Sequence, residues 1–482
     1  MYKPLTRGDG GCIMSKNNSS LGINGILAIL AKRDIKIHFL GVGGVGMYSL
    51  FCLAERFGIS VSGSDRESSE LVESLIRGGK EVYVGEHSFL PKGVGMLVYS
   101  LAISDDNTEL LAAEAAGIPL VSRAELLGAL MRCYQQRIGV SGTHGKSTVT
   151  AMLSSAFSGA GLMPTVLCGA SLPSGSPFLG GCLDYLIYEA CEYKDSFHKF
   201  SPTVSLFLNM ELDHTDWFHD KAALSESFLK AMNCAELAIV NADDAALRSL
   251  LSVTRAKYIT VGSDQNCDYR VAITDRRQYG ISFSLFRGEN RICHVTLGML
   301  GLFNAMNAAM AAVAAIECGI SPSVVEGALS SFVGIGRRLE YCGEYKGRRV
   351  YYDYAHHPTE ITVGIEAVRE VSPNGVTVIF SPHTYSRTKS LFSDFVRALS
   401  LADSVILTPI SAIREGEDKD VSAEALADAV GGIVGTRVAE IVENIEKTKG
   451  DIIVMGAAKC DHILHALIKG EARGSLSEKE GK

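Results

Sequence analysis

Short apolar runs recur along the chain. Each closes on glycine or a polar residue and is followed by a stretch with helical spacing. IKIHFLG (35–41), ISVSGSD (59–65), MLVYS (96–100) and PLVS (119–122) read as strands of a first unit. IGVSG then opens a second unit, continued by DYLIYEA (184–190), VSLFLNM (204–210), LAIVN (237–241) and KYITVG (257–262). The rhythm then changes to strict alternation in DYRVAITD, GISFSLFRG and RICHVTLG, which predicts a small antiparallel addition. NAMNAAMAAVAAIECG (304–319) has the spacing of a buried helix. A third unit begins near Gly334 with RRVYYDYA, GVTVIFSP, SVILTPI and DIIVMGA. Strand–helix alternation of this kind predicts an α/β protein of three domains. The expected boundaries are an N-terminal extension over 1–34, a Rossmann-like domain over 35–135, a central α/β domain over 136–333 and a C-terminal Rossmann-like domain over 334–482.

Composition narrows the classes. A chain of 482 residues is too long for one ordinary core. Hydrophobic residues at 47% and charged residues at 21% fit a soluble globular protein. The formal charge of -8, with no basic run, argues against nucleic-acid polymers. The twelve cysteines are scattered without metal or redox spacing, as expected for reduced thiols in a cytosol. LGINGILAILA (21–31) is about half of what a membrane-spanning helix needs. Residues 1–13 and the charged tail after Glu471 are expected to be poorly ordered.

Two glycine motifs carry the first chemistry. Gly41-x-Gly43-x-x-Gly46 follows a strand and opens a helix, and Asp65 ends the next strand, where a ribose-binding acid would fall. This pattern suits a dinucleotide or a UDP-sugar. The second motif, IGVSGTHGKST, departs from the usual phosphate-loop spelling, because valine occupies position 140. Gly139, Gly142 and Gly145 still permit an inward turn of backbone N–H groups, so the central domain is read as a P-loop-type ATP site. In it Lys146 would neutralise phosphate oxygens and Ser147 would supply a hydroxyl to Mg²⁺. Acids and histidines gather after two strands, with Glu189 and Glu192 in YEACEYKDS and Glu211, Asp213, His214 and Asp216 in NMELDHTDWFHD. In the third unit GRRLEY, DYAHHPTE and SPHTYSRT place arginines and histidines at strand ends, suited to carboxylates and phosphates.

These motifs in this order resemble the Mur ligase family, in particular its alanine-adding branch. GVGGVGM, SGTHGKST, NAMNAAMAA, GRRLE, DYAHHPTE and PHTYSRT carry the resemblance, from about residue 35 onward. It implies ATP-dependent joining of L-alanine to the lactyl carboxylate of UDP-N-acetylmuramate through an acyl phosphate, in the cytoplasm. By the same resemblance Gly43, Gly44, Gly46, Asp65, Ser100 and Asn107 would hold the UDP substrate. Gly142, Thr143, His144, Gly145, Lys146, Ser147, Thr148, Asn304, Asn307 and Arg337 would hold ATP. Ser147, Glu189 and His214 would hold Mg²⁺, and Arg338 would face the reacting centre. Tyr354, His356, His383 and Arg387 would form the alanine pocket, with His214 or His356 as the base.

The chain departs from the family pattern at Phe303, at Thr384, in MGAAKCD (455–461) and in EACEYKD, where the family usually reads EADESD. Three other readings compete: a peptide-recycling ligase on the same sugar, an NAD-dependent oxidoreductase, and a nucleotide-binding relative without ligase activity.

Overall fold

The computed structural model describes residues 21–32, 34–214, 217–277, 280–411, 418–457 and 460–469. The expectations for residues 1–13, for the tail and for part of MGAAKCD lie outside them. The chain divides into two compact units. The first contains residues up to Arg270, with Arg287–Asn290 and Ala309–Ala328. The second contains Val271–Phe286, Arg291–Ala308 and the chain from Leu329.

The first unit holds two sheets. In one, β1 (Lys36–Leu40), β2 (Ser60–Asp65), β3 (Val82–Val84), β4 (Val94–Tyr99) and β5 (Leu120–Ser122) stand in the order β3-β2-β1-β4-β5. All its pairings are parallel. The other contains β6 (Gln136–Ser141), β7 (Thr165–Leu167), β8 (Phe178–Leu179), β9 (Tyr185–Glu189), β10 (Val204–Phe207), β11 (Leu237–Asn241) and β12 (Tyr258–Gly262), in the order β12-β11-β10-β6-β9-β7-β8. Strand β6 is buried along its last four residues, the pattern of a parallel strand covered on both faces. Next come β13 (Tyr269–Arg277), β14 (Gly280–Arg287) and β15 (Asn290–Leu297). Side-chain bonds pair Ser282 with Thr296 and Ser284 with His294, so β14 and β15 run antiparallel, as the alternating runs predict.

The second unit contains β16 (Glu340–Tyr345), β17 (Arg348–Asp353), β18 (Val376–Ser381), β19 (Ser404–Leu407), β20 (Ile433–Val434) and β21 (Asp451–Gly456). Their order is β16-β17-β21-β18-β19-β20, and β18 and β21 are buried at every position.

Each sheet thus presents the carboxyl ends of neighbouring parallel strands to one edge, where open α/β sheets keep ligands. The end of β6 lies between those of β10 and β9. This places the second glycine loop beside both acid-rich segments.

Three differences from the sequence reading have physical causes. Residues 21–31, read as part of an extension, form the helix Gly22–Leu30, which buries Ile26 and Leu30 in the first unit's core. Strand β10 stops at Phe207, because the backbone beyond it turns to bond the glycine loop and Asp244. Strand β16 lacks an apolar run, since as an edge strand it is half-exposed. Among the described residues, no helix is long and apolar enough to cross a membrane.

Candidate active site

The second glycine loop turns sharply between β6 and the helix Lys146–Gly159. Gly142 has φ 147° and Gly145 has φ 82°, backbone states that favour glycine. A Cβ at Gly142 would also lie 3.0 Å from the Cβ of Leu208. The segment after β10 braces the loop. Asn209 accepts from His144 N at 2.8 Å and donates to His144 O at 3.1 Å. Thr143 Oγ1 donates to Glu211 O at 3.1 Å and accepts from Glu211 N at 2.9 Å. Ser147 and Thr148 are buried in the first turn of the helix. The loop therefore presents backbone N–H groups at a helix N-terminus, an anion-binding arrangement.

Lys146 folds toward this loop. Its ammonium donates to the carbonyls of Gly142 and Thr143 and lies 3.1 Å from Glu192 Oε2. Burial works against its charge, yet Glu192 and, more weakly, Glu189 hold it above the ordinary lysine range. Glu192 also faces His214, with Oε1 3.8 Å from Nε2. The imidazole packs at a 37° tilt against Tyr193, with ring centroids 4.6 Å apart, and His214 itself has φ 53°. Asp244 fixes the approach to this histidine by accepting from Met210 N at 3.1 Å while capping the helix Ala245–Leu250. Glu189 is differently placed, because its carboxylate accepts from Gly169 N. The acid that joins lysine to histidine is thus Glu192.

The first glycine motif is held from both sides. Gly43 N donates to Asp65 Oδ2 at 2.8 Å, so Asp65 ties the loop to the end of β2. Asn107 caps the helix Thr108–Ala115, accepting from Glu109 N and Leu110 N. Ser100 Oγ accepts from Ala102 N at 3.3 Å. Gly46 leaves room for Arg123, whose Nη1 lies 3.2 Å from where a Cβ would stand. Among the described residues, the Arg123 side chain has no ion-pair or hydrogen-bond partner. Burial and Glu192 push the Cys191 thiol up, against Lys146 and, more weakly, Arg123, which lies near enough to act on it. The sequence reading missed Arg123, because nothing in VSRAELL marks it.

In the second unit the ends of β17 and β18 gather the remaining candidates. Arg337, at φ 61°, stacks over Tyr352 and Tyr354 at 5.0 and 4.9 Å, and Arg338 lies 5.1 Å over Tyr354. Tyr354 O accepts from His356 Nδ1 at 3.1 Å, and Glu360 Oε2 lies 3.4 Å from the same nitrogen. Two acceptors at Nδ1 assign the proton there and leave Nε2 as the basic nitrogen. Thr384, at φ 68°, precedes the helix Tyr385–Ser390 that carries Arg387, while His383 bridges to Ser411. Asn304 is buried and donates to Leu300 O at 2.8 Å, with Asn307 3.5 Å beyond it.

Asp353 is buried at the end of β17. Burial pushes its carboxyl up to about 7, Glu360 adding to the rise and Arg338 opposing it. The folded unit therefore holds this proton more tightly than an unfolded chain, whose aspartate titrates near 3.9. That stabilisation is complete below about pH 4 and is lost as pH rises through about 7. Hydrogen exchange in β17 should accordingly show more protection at pH 6 than at pH 8, after correction for intrinsic rates. Asp353→Asn should remove the difference, and an unchanged difference would contradict the burial argument.

Three family descriptions match in succession. They are "Mur ligase family, catalytic domain" over residues 36–135, "Mur ligase middle domain" over 140–315, and "Mur ligase, glutamate ligase domain" over 337–464. The chain belongs to the Mur ligase family, and its three-domain α/β architecture is that of the family. Among its relatives is the UDP-N-acetylmuramate–L-alanine ligase of Caldicellulosiruptor bescii, 35% identical over 447 residues, which are 90% of this chain and 98% of that protein. The protein of the same name from Clostridium novyi is 38% identical over 407 residues, 83% of this chain and 88% of that one. Among solved structures, the UDP-N-acetylmuramate-alanine ligase MurC of Thermotoga maritima superposes with TM-score 0.77 at 24% identity, covering 90% of this chain and 99% of that one. A murein peptide ligase from Psychrobacter arcticus gives 0.70 at 23% identity, covering 90% and 98%. At these identities the structural likeness concerns the fold alone.

Proposed function

We propose that the chain joins L-alanine to the lactyl carboxylate of UDP-N-acetylmuramate, with cleavage of ATP to ADP and phosphate, in the cytoplasmic synthesis of a peptidoglycan precursor. The observation that carries this reading is the glycine loop with Lys146 at its centre, in a chain 35% identical to ligases of that name. The carboxylate is a poor electrophile, so the γ-phosphoryl is first transferred to it as an acyl phosphate. Lys146 and the loop amides hold and neutralise the phosphoryl oxygens. Ser147, Glu189 and His214, joined by Glu192, offer the oxygen and imidazole donors that Mg²⁺ accepts. When bound, that ion supplies further charge neutralisation. His356, with its proton held at Nδ1, takes the amine proton at Nε2. The Arg387 guanidinium suits the alanine carboxylate, since its paired N–H groups fit two oxygens.

Phosphate release measured with UDP-N-acetylmuramate and a panel of amino acids tests the reading. Release should require both substrates and be fastest with L-alanine. Release without an amino acid, or a clear preference for a peptide, would sink it.

Arg123 is assigned to the UDP substrate, as a cation beside the first glycine loop. Losing one charge-assisted contact costs about 1.5–3 kcal/mol. Arg123→Ala should therefore raise the KM for UDP-N-acetylmuramate more than tenfold and leave the KM for ATP within about twofold. Equal changes in both would remove Arg123 from substrate binding.

A further inference from the structure

Beside Lys146 a thiol joins two of the donors assigned above to Mg²⁺, and oxygen-seeking Mg²⁺ does not require it. Cys191 Sγ, a Glu192 carboxylate oxygen and a His214 ring nitrogen all lie within 4.8 Å of one another. Glu192 is buried, while Cys191 and His214 are half-buried. The three come from the chain after β9 and after β10, so strand ends of one sheet hold them together. The backbone of His214 is well anchored. Asp213 Oδ1 accepts from His214 N at 2.7 Å, and His214 O accepts from Trp217 N and Phe218 N at 2.8 and 2.9 Å. Lys146 Nζ donates to both oxygens of Glu192, at 3.3 Å to Oε1 and 3.1 Å to Oε2, and Oε1 also lies 3.8 Å from His214 Nε2. Asp213 Oδ2, 3.9 Å from the same ring nitrogen, is a further oxygen donor.

Thiolate with imidazole and carboxylate is a donor set for Zn²⁺ or Co²⁺, whereas Mg²⁺ takes oxygens in near-octahedral geometry. Ligand bonds of about 2.0–2.3 Å in a tetrahedron put donor atoms roughly 3.5 Å apart. The observed spread of up to 4.8 Å is wider than this by only about 1 Å. We propose that Cys191, Glu192 and His214 form a binding site for a thiophilic divalent ion of the zinc class. Glu192 and His214 also belong to the donors assigned above to Mg²⁺, so zinc would compete there and draw Glu192 away from Lys146. Zinc is then an inhibitor of this enzyme at concentrations that leave an oxygen-only site unaffected.

The test is a Co²⁺ titration of the full-length protein after chelator treatment, read by absorption. One equivalent should give a thiolate-to-cobalt charge-transfer band and the visible bands of a tetrahedral ion. Zn²⁺ should abolish both. Cys191→Ser should lose the charge-transfer band and weaken Co²⁺ binding at least tenfold, and His214→Ala should weaken it similarly, each with circular dichroism unchanged. If Cys191→Ser misfolds, Cys191→Asp serves, and it should bind Co²⁺ without the charge-transfer band. A charge-transfer band that survives both Cys191 variants, or saturable Co²⁺ binding with no such band in the unaltered protein, would overturn the proposal. The readout does not depend on ligase turnover, so it stands or falls separately from the proposed function.

Discussion

Lys146→Ala should lower phosphate release by on the order of 10²–10³, or about 3–4 kcal/mol of transition-state stabilisation. Its ammonium is bonded to the carbonyls of Gly142 and Thr143, within the glycine loop itself. Charge that develops on a transferring phosphoryl group would lose this partner. The substitution also strands Glu192, which is 2% exposed, without its lysine, so the single variant should lose stability as well. Lys146→Met combined with Glu192→Gln removes the stranded charge. That double variant should regain stability and stay inactive. The separation matters, because misfolding alone would restore activity together with stability. Near-normal turnover in a folded Lys146 variant would exclude the loop from the chemistry.

A second large effect is expected within the first sheet. His38 Nε2 lies 2.9 Å from Glu109 Oε2, and Ser64 Oγ donates to the same oxygen at 2.8 Å. His38 Nδ1 bonds Ser62 Oγ at 2.9 Å. All four residues are buried. Glu109→Met keeps the volume but leaves His38 and Ser64 without that partner in a dry interior. Breaking such a cluster from one side costs about 3–5 kcal/mol. Hydrogen exchange in β1 and β2 should report the loss, because several domains rule out a single two-state unfolding free energy. His38→Leu added to Glu109→Met should cost less than the two single changes together, since each removes a group the other strands. Additive losses would show that the cluster does not act as a unit.

Much of the molecule was legible along the chain. The run LAIVN coincides with β11, and IKIHFLG and ISVSGSD contain β1 and β2. LAIVN is legible because burial on both faces demands an apolar run, whereas ISVSGSD is legible from the glycine motif before it and the acid that ends it. The glycine loops were legible because Gly142 and Gly145 adopt backbone states that other residues resist. Edge strands were not. Strand β16 is half-exposed, so polar residues are tolerated there and no apolar run marks it.

Sequence alone determined the strand–helix alternation, the two glycine loops and the helix-opening position of Lys146. These depend on neighbours a few residues away, through burial periodicity and backbone freedom. Tertiary structure decided which acid meets the lysine. Glu189 ends β9 and Glu192 follows it, but the first bonds Gly169 N and the second, 46 residues from Lys146, bonds its ammonium. It also decided that Asn209 clamps His144 across 65 residues and that His38 finds Glu109 across 71. It brought Arg123 over Gly46 as well. No local pattern encodes such pairs, because they form only where the sheet order sets distant strand ends side by side.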